Sequence, residues 1–324
     1  MKTFQQIILL SVMGVCAAGI LAAQNTGQAL TIYGINGPSG VGMIRLFEHP
    51  PRINGFQVKV ESLAQADLMA ARFVSGEAKV GVLPPNVAAK IASTGKAVQV
   101  AAVLGNGMLS LLSSDGGVRR IEDLKGKTVA VAGQGATPEF VFRKILLARG
   151  LNPERDLKLD YALAIPEISR SLIAGRISLA LLPEPFATMA LSGNTSLRTV
   201  GDIQDEWNKA NGAAPGGAYP MTVLVVDAAF AKANPEAVRV ILADVKASID
   251  WIKANPAEAG ALVEKHNLGL RAPAVRASIP RSNHTFIPAA DARPSLEALL
   301  RAFLEFAPQS IGGALPKDSF YYKP

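Results

Sequence analysis

A chain of 324 residues that is 49% hydrophobic has apolar material for two core-forming lobes, which sets it apart from a disordered or fibrous protein. Its net charge of +7 is spread thinly: the densest basic spot is Arg119-Arg120, and no aromatic-interleaved basic stripe points to nucleic acid. We read the charge as solvated surface with a mild bias towards anionic ligands.

Residues 1–23 form a segment of their own. Lys2 gives a short basic start, residues 7–21 are apolar, and Leu21-Ala22-Ala23 is a small-residue exit, which predicts a secretory signal peptide. Gly27-Gln28-Ala29 offers a second cut. A retained membrane anchor stays open, because the apolar run is near the lower limit for a spanning helix. Cys16 is the single cysteine, and the bulky Val15 before it makes a poor lipoprotein cleavage box. Cleavage would leave a chain without cysteine, hence without a disulfide, a thiolate nucleophile or a zinc–thiolate site.

The mature chain alternates strands and helices. Residues 30–35 read as a strand, followed by the loop Asn36-Gly37-Pro38-Ser39-Gly40 and a short helix over 40–49 that Pro50-Pro51 stops. A strand over 56–61, a helix over 64–75, a strand over 80–83 and a helix over 87–93 follow. Residues 98–104 are strand-like and lead to Gly105-Asn106-Gly107, after which 108–113 is extended and apolar. The stretch 126–150, GKTVAVAGQGATPEFVFRKILLARG, reads as a strand over 127–132, a glycine turn and a helix over 139–149. Thr137 is read there as the N-cap, with Pro138 at the first helical position and Glu139 in the first turn. Such a turn points free N–H groups at whatever lies in front of it, although the pattern is neither a P-loop nor a dinucleotide fingerprint. A strand over 157–161, a helix over 166–174, a strand over 177–182 and a helix from Pro185 to Gly193 come next, then a short helix over 205–210 and a loop over 211–217. Residues 221–226 are extended again. Helices over 235–255 and 256–266, an amphipathic helix over 295–306, and an aromatic tail that packs back on a lobe, Phe320-Tyr321-Tyr322, complete the chain.

Two passages repeat. FVSGEAKVGVLP, ending at Pro84, aligns without a gap with LIAGRISLALLP, ending at Pro183. Each ends a helix on glycine, runs a strand, and breaks at Pro-Pro-Asn or Pro-Glu-Pro before another helix. Two lobes on one β-loop-α plan follow, an α/β chain with mostly parallel sheets. Ligands of open α/β sheets sit outside the carboxyl ends of the strands, so facing lobes would put four loops around one cleft. The expected limits are residues 30–110 plus 222–324 for lobe one and 111–221 for lobe two, with two crossings that make a hinge.

These residues resemble an extracytoplasmic solute-binding protein of an ABC importer, of the sulfonate/nitrate/taurine and thiamine-precursor type. IEDLKGKTVAV (121–131), Val82-Leu83-Pro84-Pro85-Asn86, Leu182-Pro183-Glu184-Pro185-Phe186 and Ser310-Ile311-Gly312-Gly313 carry the resemblance, which covers essentially the whole mature chain. It implies a two-lobed periplasmic-binding-protein fold of type II. It implies binding without catalysis or cofactor: a monomer that captures a small polar or anionic solute and delivers it to a membrane permease and its ATPase, outside the cytoplasm. The subtype names no ligand. The family's binding positions fall on Asn36, Gly37, Pro38, Ser39, Pro85, Asn86 and Asn106 in lobe one. In lobe two they fall on Gln134, Gly135, Ala136, Thr137 and Glu184, with Tyr219 and Met221 at the return crossing. Most of the polar candidates are amides or hydroxyls, suited to orienting a ligand by hydrogen bonds. Structural roles compete with each: Asn86 and Thr137 as helix caps, Glu184 as a carboxylate at a helix start. An enzyme on the same fold would need a base such as Glu184, since His49, His266 and His284 lie outside the four loops and no His/Cys/Asp cluster has metal-ligand spacing. A sensor feeding a membrane receptor would have a sequence of the same kind.

Overall fold

The computed structural model describes residues 27–131, 133–211 and 218–324. The predicted signal-peptide segment 1–23 with Cys16, Ala132 at the end of a predicted strand, and residues 212–217 of a predicted loop lie outside the described residues.

The chain starts with β1 (Gln28–Ile35) and two four-residue helices, α1 (Pro38–Val41) and α2 (Arg45–Glu48), where one short helix is expected. Then come β2 (Phe56–Leu63), α3 (Ala66–Ser75), β3 (Val80–Leu83), α4 (Pro85–Ser93) and β4 (Val98–Asn106). β5 (Leu109–Ser113) opens a second sheet with β6 (Thr128–Val131), α5 (Thr137–Ala148), β7 (Lys158–Asp160), α6 (Ile165–Ile173), β8 (Leu179–Pro183), α7 (Phe186–Gly193), β9 (Arg198–Thr199) and α8 (Ile203–Ala210). The chain returns as β10 (Pro220–Asp227), α9 (Ala228–Ala233), α10 (Pro235–Ala254), α11 (Pro256–Lys265), α12 (Ala272–Ser278), β11 (His284–Pro288) and α13 (Ala289–Phe306).

Among the described residues the first sheet has six strands in the order β11-β4-β10-β3-β1-β2, and the second has five in the order β7-β6-β8-β5-β9. β1 runs parallel to β2 and β3, and β6 parallel to β7 and β8. β10 is antiparallel to β3 and β4, and β5 antiparallel to β8. β5 and β10 each enter their sheet straight from a crossing, without a helix to reverse direction, so each lies against the parallel run.

The repeated passages hold equivalent places. α3 ends on Gly76 and α6 is followed by Gly175, both with positive φ, a backbone that glycine adopts without a Cβ penalty. β3 and β8 then run buried on both faces. The main core joins both sheets, with Phe140 of α5 packed edge-on against Phe303 of α13 at 4.6 Å between ring centres. Phe186 at the start of α7 touches both the apolar cluster of the second sheet and the one beneath α10 to α12. Phe320, Tyr321 and Tyr322 are buried, and the Tyr322 N–H donates to Val100 O at 2.8 Å, which ties the tail to β4.

Candidate functional site

The carboxyl ends of β1, β3 and β4 converge beside the start of β10. Register places Val223 opposite Leu83, Thr222 opposite Gly105 and Pro220 opposite Asn106. Ser39 reaches the same point, its hydroxyl 3.0 Å from that of Thr222. Asn36 accepts from the Ser62 hydroxyl at 2.6 Å, and the Gly37 N–H donates to Leu268 O at 2.9 Å, so this loop is tied down on its outer side. Pro38 opens α1. Pro85 and Asn86 form the first turn of α4, whose N-cap is Pro84 and whose N-terminus has no side-chain cap. Asn86 is therefore not a capping residue. Met221 is half-buried against the main core.

In the second sheet, register sets Leu109 opposite Pro183 and Val131 opposite Leu181. The turn after β6 and the Glu184 loop after β8 thus lie side by side, and the Glu184 N–H donates to Met108 O at the first crossing, at 2.9 Å. Gln134 and Gly135 are exposed and Ala136 is the N-cap of α5, so Thr137 is the first helical residue rather than the cap. The turn differs from the expected open anion cradle. The Gly135 N–H donates to the Glu139 carboxylate at 2.6 Å, and Ala136 N–H donates to Gly133 O. The other Glu139 oxygen accepts from Arg143 Nε at 2.6 Å, and Arg143 also pairs with Glu154. Burial works against the Arg143 charge, but these two carboxylates outweigh it and hold its pKa above the ordinary arginine value.

Glu184 is 1% exposed. One oxygen accepts the Thr188 N–H in the first turn of α7 at 3.0 Å, and the other accepts from Arg281 Nε at 2.9 Å. Glu184 comes from the second sheet and Arg281 from the segment between α12 and β11, so the pair spans the two lobes. Tyr219 is fully buried at the return crossing. Its hydroxyl accepts from Leu109 N–H at 3.2 Å, its carbonyl from Gly107 N–H at 3.1 Å, and its ring meets the edge of Trp207. Burial raises its phenol pKa above the ordinary tyrosine value. Tyr219 thus fastens both crossings together.

Four polar atoms at these strand ends are sealed from solvent without a partner in the protein: Asn86 Oδ1, Asn106 Oδ1, Thr137 Oγ1 and Thr188 Oγ1. Their residues are 8%, 5%, 4% and 7% exposed. Buried polar atoms are nearly always hydrogen-bonded, since leaving one unpaired costs about 1–3 kcal/mol. Asn106 ends β4, and Asn86, Thr137 and Thr188 sit in the first turns of α4, α5 and α7, each just past the carboxyl end of a strand. Thr188 was not singled out from the sequence, although a threonine in the first turn after a strand-ending Pro-Glu-Pro was the signal to find it.

The profile of the NMT1-like family matches residues 64–265, well over half of the chain. The chain belongs to the NMT1-like family. None of the curated proteins compared matches it. Among solved structures, an ABC transporter protein from Parabacteroides distasonis is 25% identical with a TM-score of 0.75, over 91% of this chain and 99% of that one. The periplasmic aliphatic sulphonate binding protein SsuA of Escherichia coli is 17% identical with a TM-score of 0.73, over 91% and 92%. The periplasmic nitrate-binding protein NrtA of Synechocystis PCC 6803 is 12% identical with a TM-score of 0.61, over 87% and 82%. The NMT1-like chain therefore has the two-lobed α/β fold of periplasmic binding proteins, as the sequence resemblance implies.

Elsewhere in this NMT1-like protein, His49 is exposed and His266 bonds Glu48. His284 is buried on β11, opposite Gly105, with Nε2 unpartnered. Among the described residues no group of three His, Cys, Asp or Glu side chains could hold a metal ion, and no helix is long and apolar enough to cross a membrane. A cavity of about 500 Å³ lies apart from the converging loops, between α4, β4 and the C-terminal tail, lined by Ser93, Lys96, Gln99 and Lys317 among others. It holds none of the four unpartnered atoms.

Proposed function

We propose that this protein is the substrate-binding component of an ABC importer, which captures a small solute between its lobes and presents it to a membrane permease. One observation carries the reading: polar atoms of Asn86 and Asn106 from one lobe, and of Thr137 and Thr188 from the other, are buried without partners at or just past the carboxyl ends of strands. A solute bonded to both sets would restore those hydrogen bonds and favour the closed arrangement over the open one. Residues 30–110 plus 222–324 and residues 111–221 would move as two bodies about the crossings beside Gly107 and Tyr219. The similarity to periplasmic sulphonate- and nitrate-binding proteins supports the same role, and with it an extracytoplasmic location for a monomer that hands its solute to a permease driven by an ATPase. Catalysis has no comparable support, because the one buried carboxylate at the Pro-Glu-Pro loop is already paired with Arg281 and Thr188.

Calorimetry with the purified chain, combined with mass spectrometry of the ligand afterwards, tests the reading. One solute bound per chain and recovered unchanged is the expected result. Conversion of the solute by the pure protein would show it to be an enzyme instead.

A further inference from the structure

The cavity of about 500 Å³ beneath the C-terminal tail has a roof and a floor of its own. The roof is the arch from Gly312 to Ser319, and it is anchored at both ends. Ile311 and Phe320, which flank it, are 1% and 3% exposed, and beyond it the Tyr322 N–H donates to Val100 O at 2.8 Å. Gln99 Nε2 donates to Ser319 O at 3.1 Å and ties the arch to β4. At its start Gly312 lies against α4: a Cβ there would fall 2.1 Å from the Ser93 side chain, and its φ of +86° suits glycine. These anchors hold the arch over a floor that α4 supplies with Ala89 and Ala92. α4 and β4 line the cavity from Ser93 and Val98, the ends remote from Asn86 and Asn106, so the cavity stands apart from the inter-lobe site.

The charges around the cavity are one-sided. Its lining includes Lys96 and Lys317 and no carboxylate. The two aspartates nearest in the chain are engaged elsewhere. Asp227 accepts the Phe230 N–H at 2.9 Å and holds Lys96 at 3.5 Å, while Asp318 pairs with Arg293 at 2.7 Å. Lys317, exposed on the arch, has no ion pair among the described residues. Much of the remaining lining is apolar, with Ala89, Ala92, Leu315 and Phe320 contributing. A mostly apolar recess of about 300–1,000 Å³ with a few polar groups at its edge is the usual form of a small-molecule site. We propose that this cavity is a second binding site, for a small amphipathic acid such as a medium-chain carboxylate. The apolar body lies against Ala89, Ala92 and Phe320, and the carboxylate takes the ammonium groups at the rim, above all that of Lys317. A neutral amphiphile of the same length forgoes the charge, a short acid forgoes the apolar burial, and an amine meets two like charges. The proposal is independent of the solute-binding reading above.

Calorimetry of the purified chain with octanoate, 1-octanol, octylammonium and acetate tests it. Octanoate should bind, 1-octanol about fivefold more weakly, and acetate and octylammonium not measurably. Lys317→Gln, a change at an exposed residue, should weaken octanoate about fivefold and leave 1-octanol as it was. Ala92→Phe puts a ring into the cavity from its floor and should abolish octanoate binding. Its melting temperature shows whether that variant is folded, and Lys317→Gln decides the matter if it is not. Absence of octanoate binding to the parent chain overturns the proposal, as does equal affinity of parent and Lys317→Gln. Octanoate binding that survives in Ala92→Phe but is lost in Thr188→Val would place the acid in the inter-lobe site and overturn it as well.

Discussion

Glu184 and Arg281 are bonded across the two lobes with very unequal burial, 1% against 44% of the side chain exposed. Removing either partner therefore has different consequences. Arg281→Ala leaves a carboxylate sealed in the interface with only the Thr188 N–H, and should destabilise by about 2–4 kcal/mol. Glu184→Gln leaves an arginine that can turn to water and an amide oxygen that still accepts from Thr188, so it should cost about 1 kcal/mol. Urea unfolding of the two variants checks the order; equal losses would mean that the pair is not seated as described. Gly135 makes a second residue-scale case. A Cβ there would meet nothing within 4 Å, and only its φ of +74° resists substitution. Gly135→Ala should cost about 1–2 kcal/mol of stability and leave solute affinity unchanged. A large loss of affinity would place the solute against this turn.

β11 carries a titratable group into the core beside the first crossing. Burial, with the Lys253 ammonium as a smaller cause, pushes His284 down to about 4, from an ordinary value of about 6.5. The folded chain holds the imidazole neutral, while the unfolded chain takes up a proton as pH falls through about 6.5. The stability at neutral pH is thus lost progressively between the ordinary value and about 4. From pH 7 to pH 5 the loss should be roughly 2 kcal/mol, and His284→Leu should remove that slope. A parent and variant with the same pH dependence of the urea midpoint would show that His284 is accessible to protons in the folded state. The strand–strand crossing has its own sensitive position. A Cβ on Gly107, at φ +44°, would fall 2.0 Å from Gln204 Oε1 on α8. Gly107→Ala should therefore turn the Gln204 side chain aside and place alanine in a left-handed backbone, lowering the melting temperature by a few degrees for a cost of about 1–2 kcal/mol. An unchanged melting temperature would mean that the crossing does not hold residue 107 in this backbone.

At the scale of the whole molecule, what the sequence made legible is local. Helices ending on Gly76 and Gly175, strands broken at Pro84 and Pro183, and apolar runs too continuous for a half-exposed strand all read directly into α3, α6, β3 and β8. Asn86, Asn106 and Thr137 were named because the resemblance places binding positions on the loops that the glycine and proline breaks mark at the strand ends. Long-range contacts were not legible. Nothing local says that Glu139 folds back onto Gly135, that Arg281 reaches Glu184 across 97 residues of chain, or that Tyr219 spends its hydroxyl on Leu109. Pro294 misled the reading of α13, which starts at Ala289 and runs through that proline, because tertiary packing of Ala289, Ala292 and Leu296 outweighs a breaker one turn in. β11 was missed for a related reason: its burial pattern lacks the apolar alternation of a strand, and pairing with β4 alone defines it. The central claim is that one solute joins both lobes at the converging strand ends, and hydrogen–deuterium exchange with a bound probe tests it most directly. The expected result is simultaneous protection of the segments around Asn86, Asn106, Thr137 and Thr188. Protection confined to one lobe, or to Ser93, Lys96 and Lys317 around the tail cavity, would contradict it.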